Sequence, residues 1–347
     1  MKSNSVVSWA LVVVAVLASP TPISQESDIL NKRAAITDAA NIGYATQNGG
    51  WVNTFCVPCG AGGTTTTVAN LAQLSAAANA SDPRIVIIQG NIVGKAKVQV
   101  GSDKTIIGKT GSCQLPLVFY AMPLEGIGLT ILGQKNVIIR NMKISKVEAN
   151  FGDAITIQLS KNVWVDHCDL SATRNGDKDF YDGLTDLSHA ADWVTISHTY
   201  FHDHSKGSLV GHSDNNAAED TGTLRVTYAN NHFYNVRSRG PLLRFGTAHV
   251  YNQYYNTMDT GLNTRMGAQA LIQSSVFENV GKKAIFSESS KETGYAVAID
   301  VVLGGQSANT APAGKLTSSS PPYAYSLLGS ANVKAAVTKE AGQTLSF

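Results

Sequence analysis

The chain has 347 residues, of which 43% are apolar and only 15% charged, and its formal net charge is +2. Charge this close to balance excludes a nucleic-acid or membrane-surface role carried by bulk electrostatics. No apolar stretch is long enough for a transmembrane helix.

At the N-terminus, Lys2 precedes the apolar run ALVVVAVLA, which ends in small residues and is too short to span a bilayer. Residues 1–18 therefore read as a secretory signal peptide. The polar piece that follows leads to the dibasic pair Lys32 and Arg33, so 19–33 read as a propeptide. The mature chain is expected to be secreted and extracellular, as a single domain over 34–347, because no Pro- or Ser-rich linker divides it. Residues 65–80, TTTVANLAQLSAAANA, read as a helix with a Thr-rich start, placed to cap one end of a solenoid. Asn79-Ala80-Ser81 is a glycosylation sequon. Of the four cysteines, Cys56 and Cys59 form a CxxC without a second ligand pair, which argues against zinc. The pairing among Cys56, Cys59, Cys113 and Cys168 stays open, since four cysteines allow three connectivities. Cys168 reads as an inward-packed thiol.

From about residue 84 to 303, short strands of β-branched and aromatic residues alternate with Gly, Asn, Asp and Ser. Six of them share a pattern that ends in a polar side chain: VIIRN, VWVDH, VTISH, VTYAN, HVYNQ and LIQSS. Their anchors, Asn141, His167, His198, Asn230, Asn252 and Ser274, are spaced by 26, 31, 32, 22 and 22 residues. Such a period marks a solenoid, and strands this short fit an all-β, parallel β-helix with about three strands per turn. The anchors are expected to stack, each bonding its copy in the next rung. A β-sandwich would not explain the repeated spacing of 22. The tail from Thr310 reads as a loop and short helix folded back along the barrel.

The same phase gathers five charged residues. Asp153, Asp182, Asp186, Lys206 and Arg239 fall at nearly one position of four successive rungs, provided that HSDNNAAEDTG is a loop insertion after Lys206. Asp182 and Asp186, four apart, would share one face of a strand. Three carboxylates form an all-oxygen site suited to Ca²⁺, and cations beside it can grip a carboxylated substrate such as a polyuronate. Asp166, His167, His212 and Asp214 read as structural groups near the groove, and Asp177 and Asp179 as loop residues near the metal.

The blocks GDAITI, NVWVDHCDL, DFYDGLTD, DHSKGSLVGHSD and RGPLLRFG resemble the signatures of polysaccharide lyase family 1 pectate lyases, and the wording around them is similar to that of secreted fungal members. The resemblance runs from AAITDAANIGYATQNGG to the C-terminus. It implies a right-handed parallel β-helix, and a Ca²⁺-dependent enzyme that cleaves the α-1,4 bonds of polygalacturonate by β-elimination. It further implies that Asp153, Asp182 and Asp186 bind Ca²⁺, that Lys206 and Arg244 bind substrate, and that Arg239 abstracts the C5 proton. The polysaccharide would be the partner of a monomeric protein. Where some members carry a second acidic ligand, this chain has Phe151. The segments at 51–59 and 113–123 look inserted. Pectin lyase, which shares the fold but works on esterified pectin without calcium, lacks the full acidic cluster. A polygalacturonase would need paired carboxylates to activate water. Loss of Arg239 or Lys206 would favour a non-catalytic polysaccharide binder on the same fold, and both are present.

Overall fold

The structure is a computed structural model that describes residues 34–49, 62–109 and 123–347. The expected signal peptide and propeptide, Cys56, Cys59, Cys113 and nearly all of the two inserted segments lie outside the described residues.

Every strand pairing is parallel, and the chain coils through three columns of strands. The first column contains Thr64–Val68, Arg84–Ile88, Lys104–Gly108, Lys135–Arg140, Lys161–Asp166, Asp192–Ser197, Arg225–Ala229 and Thr247–Tyr251, and ends on the starts of Gln269–Phe286 and Tyr295–Leu303. The second includes Lys143–Ser145, Asp169–Ser171, Tyr200–Lys206 and His232–Ser238. The third includes Ile155–Gln158, Thr185–Ser188, Ser208–Val210 and Leu242–Arg244. This is the parallel β-helix expected from the repeat, and the right-handed one that the family resemblance implies.

Register explains the repeat physically. In the first column, Val86, Ile106, Ile139, Val165, Ile196, Tyr228, Val250 and Ile272 stand one above another, and all are fully buried. Removing an apolar side chain of this size from water stabilises the fold by roughly 1.5–3 kcal/mol. In the second column, Phe201, Phe233, Tyr255 and Phe277 stack inward with centroid spacings of 4.4, 5.1 and 4.2 Å. Outward-facing Trp164 and Ile138 are covered instead by Ala40 and Ala45 of the N-terminal segment.

The anchors close each first-column strand in a left-handed backbone conformation, with φ of 55° at Asn141, 50° at His167, 45° at His198, 58° at Asn230, 53° at Asn252 and 45° at Ser274. Asn tolerates this region better than other non-glycine residues because its short amide bonds locally. Here the amide also bonds between rungs: Asn252 Nδ2 donates to Asn230 Oδ1 at 2.9 Å, and Asn230 Nδ2 lies 3.1 Å from His198 Nε2. His198 in turn stacks on His167 at 4.5 Å.

Two expectations need correction at the ends of elements. The Thr-rich run is the strand Thr64–Val68, since β-branched threonines suit a pleated edge. The capping helix is only Leu71–Ala78, begun by Asn70, whose side chain accepts the Gln73 N–H at 2.9 Å. Its Leu74, Ala77 and Ala78 close the end of the core. At the other end of the chain, helix Ser330–Glu340 lays Val333 and Val337 against Tyr254.

Candidate metal and substrate site

The charged groups gather where the second column turns into the third. Lys206 ends a second-column strand and Arg239 follows the next one, which pairs Lys206 with Ser238. In the third column, Thr156, Asp186, Leu209 and Leu242 stand in register on consecutive rungs. All five residues that the phase singled out meet here. Asp182 does not share a strand face with Asp186, however, because the strand begins only at Thr185. It arrives on the preceding loop, pinned by an antiparallel bridge between Glu148 and Tyr181 and by the Gly183 N–H, which donates to Asp153 Oδ1 at 2.9 Å.

Ligand oxygens of Asp153, Asp182 and Asp186 lie within 4.8 Å of one another. Asp153 Oδ2 accepts the Thr156 hydroxyl at 2.8 Å, and Asp186 Oδ1 accepts the Leu209 N–H at 3.0 Å. Burial, reinforced by the charge of Asp182, pushes Asp153 up to about 6. Burial and the charge of Asp153 likewise push Asp186 well above the usual carboxylate range. Three carboxylates crowded in this way suit a hard divalent cation, whose charge would offset their mutual repulsion.

Cations flank the cluster. Arg239 Nη1 is 3.4 Å from Asp186 Oδ2. Lys206 Nζ is 2.9 Å from Asp179 and 3.4 Å from Asp182. The Lys206 backbone N–H donates to His204 Nδ1 at 2.9 Å, and burial together with the Lys206 charge pulls His204 down to about 4, so it stays neutral. Arg244 is held by Asp214 Oδ1 at 2.5 Å and by the Gly211 carbonyl at 2.8 Å. Asp214 is thus a partner of the site. Burial raises its carboxyl, but the Ser290, Arg244 and Lys291 hydrogen bonds outweigh this and leave it at about 2. Beyond these groups opens a cleft of about 410 Å³, with Arg239, Arg244, Arg265 and Lys283 in its walls.

Asp166, His167 and His198 form a second cluster with ligand-type atoms close together. There the Asp166 carboxylate already accepts Arg140 Nε at 3.0 Å and the Ser197 hydroxyl at 2.7 Å. These are structural bonds at the turn after the first column. None of the five groups of the site is among those partners. Cys168 is a free, fully buried thiol.

A family model described as pectate lyase matches residues 13–346. The chain belongs to the pectate lyase family. It is 52% identical over 337 residues to a pectate lyase of Emericella nidulans, covering 96% of this chain and 98% of that one. It is 55% identical over 321 residues to pectate lyase B of Colletotrichum gloeosporioides, covering 92% and 90%. A pectate lyase from Bacillus sp. N165, solved in complex with trigalacturonate, superposes with a TM-score of 0.74 at 28% identity and covers 87% of this chain and 98% of that one. Within this pectate lyase β-helix, sequence reading missed Arg265 and Lys283. Arg265 pairs in register with Arg244, 21 residues before it, so following the rung spacing one turn further, within a residue, would have found it.

Proposed function

We propose that the protein is a secreted, calcium-dependent pectate lyase that cleaves α-1,4-linked polygalacturonate by β-elimination, leaving a 4,5-unsaturated uronate end. The observation that carries this reading is the three-carboxylate cluster with Arg239 against Asp186 and Lys206 against Asp182, on consecutive rungs. Asp153, Asp182 and Asp186 would hold a calcium ion, whose positive charge would lower the cost of the negative charge that develops when the C5 proton leaves. Lys206 grips a substrate carboxylate as a point charge. Arg244, oriented by Asp214 and Gly211, presents a planar fork to another. Arg239 takes the proton from C5, that electron pair becomes the C4–C5 double bond, and the C4–O bond breaks with its pair on the leaving oxygen, which takes up a proton from solvent to end as a hydroxyl. Only a neutral guanidine has a lone pair that can accept the proton.

Residues 1–18 and 19–33 would be removed on secretion, and the single domain 34–347 would act as a monomer. Among the described residues no helix is long and apolar enough to cross a membrane. The test is ultraviolet absorbance of unsaturated product from polygalacturonate and from highly methylated pectin, each with calcium or chelator. Calcium-dependent product from polygalacturonate is expected. Calcium-independent product from methylated pectin alone would make the protein a pectin lyase, and no product from either a binding protein.

A further inference from the structure

The rungs continue past Arg244, and at each one the second column turns into the third. Lys283 pairs in register with Thr260 on one side and Ala308 on the other. Its ammonium ion-pairs with Glu288, and the two side chains are 48% and 44% exposed. An ion pair so open to water contributes little to stability. Its position is more informative. Lys283 and Glu288 both line the 410 Å³ cleft that holds Arg239, Arg244 and Arg265, and both also line an adjoining cleft of about 690 Å³ with Lys282, Gln306, Ala308 and Thr310. The pair therefore stands on the sill between two stretches of one groove.

Glu288 is fixed by its backbone and not by its side chain. Its N–H donates to Asn263 Oδ1 at 3.2 Å, and its carbonyl accepts Asn263 Nδ2 at 3.3 Å. The carboxylate reaches back to Lys283 without any other hydrogen bond among the described residues. Lys283 has the neighbouring Lys282 beside it, and its Nζ lies 5.8 Å from the Phe286 ring centroid. A carboxylate on a long, free side chain that covers a groove cation mimics the carboxylate of a polyuronate.

We propose that Lys283, with Lys282, forms a distal carboxylate subsite for the polyuronate, and that Glu288 occupies it until a substrate chain long enough to cross the sill displaces it. This rests on the lyase reading and adds length discrimination to it. A short substrate fills the first cleft and leaves the pair closed. A long one exchanges the Glu288 carboxylate for its own, so the enzyme favours polymer over short oligomers.

The test compares kcat and KM on trigalacturonate and on polygalacturonate for the wild type, Lys283→Ala and Glu288→Gln. Lys283→Ala should raise KM for polymer about three- to tenfold with kcat held, and so lower the polymer-to-trimer ratio of kcat/KM by the same factor. Glu288→Gln should shift the ratio the other way, because it frees the lysine. A lysine with a merely structural role predicts equal losses on both substrates for both variants. That result, or a Glu288→Gln ratio equal to the wild type's, overturns the proposal. A wild type with no lyase product on either substrate overturns the underlying function instead.

Discussion

Asp153→Asn separates the electrostatic cost of the carboxylate cluster from its use. Asp153 is 7% exposed and pushed from its ordinary 3.8 up to about 6, by burial first and by Asp182 second. The native state therefore holds this proton more tightly than the unfolded chain does. Between about pH 4 and pH 6 folding takes up protons, so stability falls as pH rises through that window, and above it the loss is complete. A shift of this size corresponds to about 3 kcal/mol. Because Asp186 shares the strain, one substitution recovers about 1–3 kcal/mol of it. Asn fits the same space: its oxygen still accepts the Gly183 N–H and its amide can donate to the Thr156 hydroxyl. Urea denaturation in chelator at pH 8 should find Asp153→Asn more stable than the wild type. With free calcium at a hundred times its Kd, the wild type should gain about 2.7 kcal/mol and the variant far less, with loss of lyase activity. A variant less stable than the wild type in chelator, or one that keeps the whole calcium gain, would refute the reasoning.

Arg239→Lys preserves the charge but not the planar fork, and kcat should drop about 10²–10⁴-fold with KM changed little; steady-state rates on polygalacturonate check this, and a substantially active variant rejects Arg239 as the base. Gly183→Ala places a Cβ 2.3–2.7 Å from the Asp186 carboxylate atoms, so that ligand must move. Calcium titration calorimetry should then read an affinity weaker by about tenfold or more, although all three carboxylates remain. Asp166→Asn neutralises a carboxylate only 1% exposed and leaves Arg140 with Asp38 as its one ion-pair partner among the described residues, at a loss of about 3–5 kcal/mol in urea. Burial raises the Asp166 carboxyl, but His167 and His198 outweigh it and hold it far below the usual range. His167, 2.7 Å from the Asp166 carboxylate, is itself pushed below 6.5 by burial, so the Arg140 guanidinium is the charge that holds Asp166 at neutral pH. The stability that Asp166 supplies is present above about pH 4 and is lost as pH falls, so acid unfolding should be shallower in the variant.

The solenoid was legible because parallel stacking imposes one chemistry on each position of every rung. The same side-chain class recurs at the left-handed turn from Asn141 to Ser274 and at the inward column from Val86 to Ile272. That periodicity also carried the site, since Asp186, Lys206 and Arg239 lie at or next to strand positions whose register is fixed by neighbouring rungs, and Asp153 lies two residues before one. Reasoning failed where the chain leaves the lattice. Asp182 looks like a strand residue because it lies four positions before Asp186, but the loop before Thr185 sets its place through contacts to Glu148 and Asp153, remote in sequence. Asp214 read as structural, and only the folded loop reveals that it aims Arg244. The Thr64–Val68 segment was mistaken for a helix start because propensity alone cannot say that Arg84–Ile88 waits to pair with it. Lys283 and Glu288 were missed for a different reason. Five residues apart, they look like an ordinary surface pair, and only the rungs beneath them place that pair across a groove. A rigid lattice thus sets the chemistry of the cluster, whereas substrate length is read by the side chains the lattice constrains least. Substitutions at Asp153 or Asp186 should therefore act on catalysis for every substrate, and those at Lys283 or Glu288 on the choice among them.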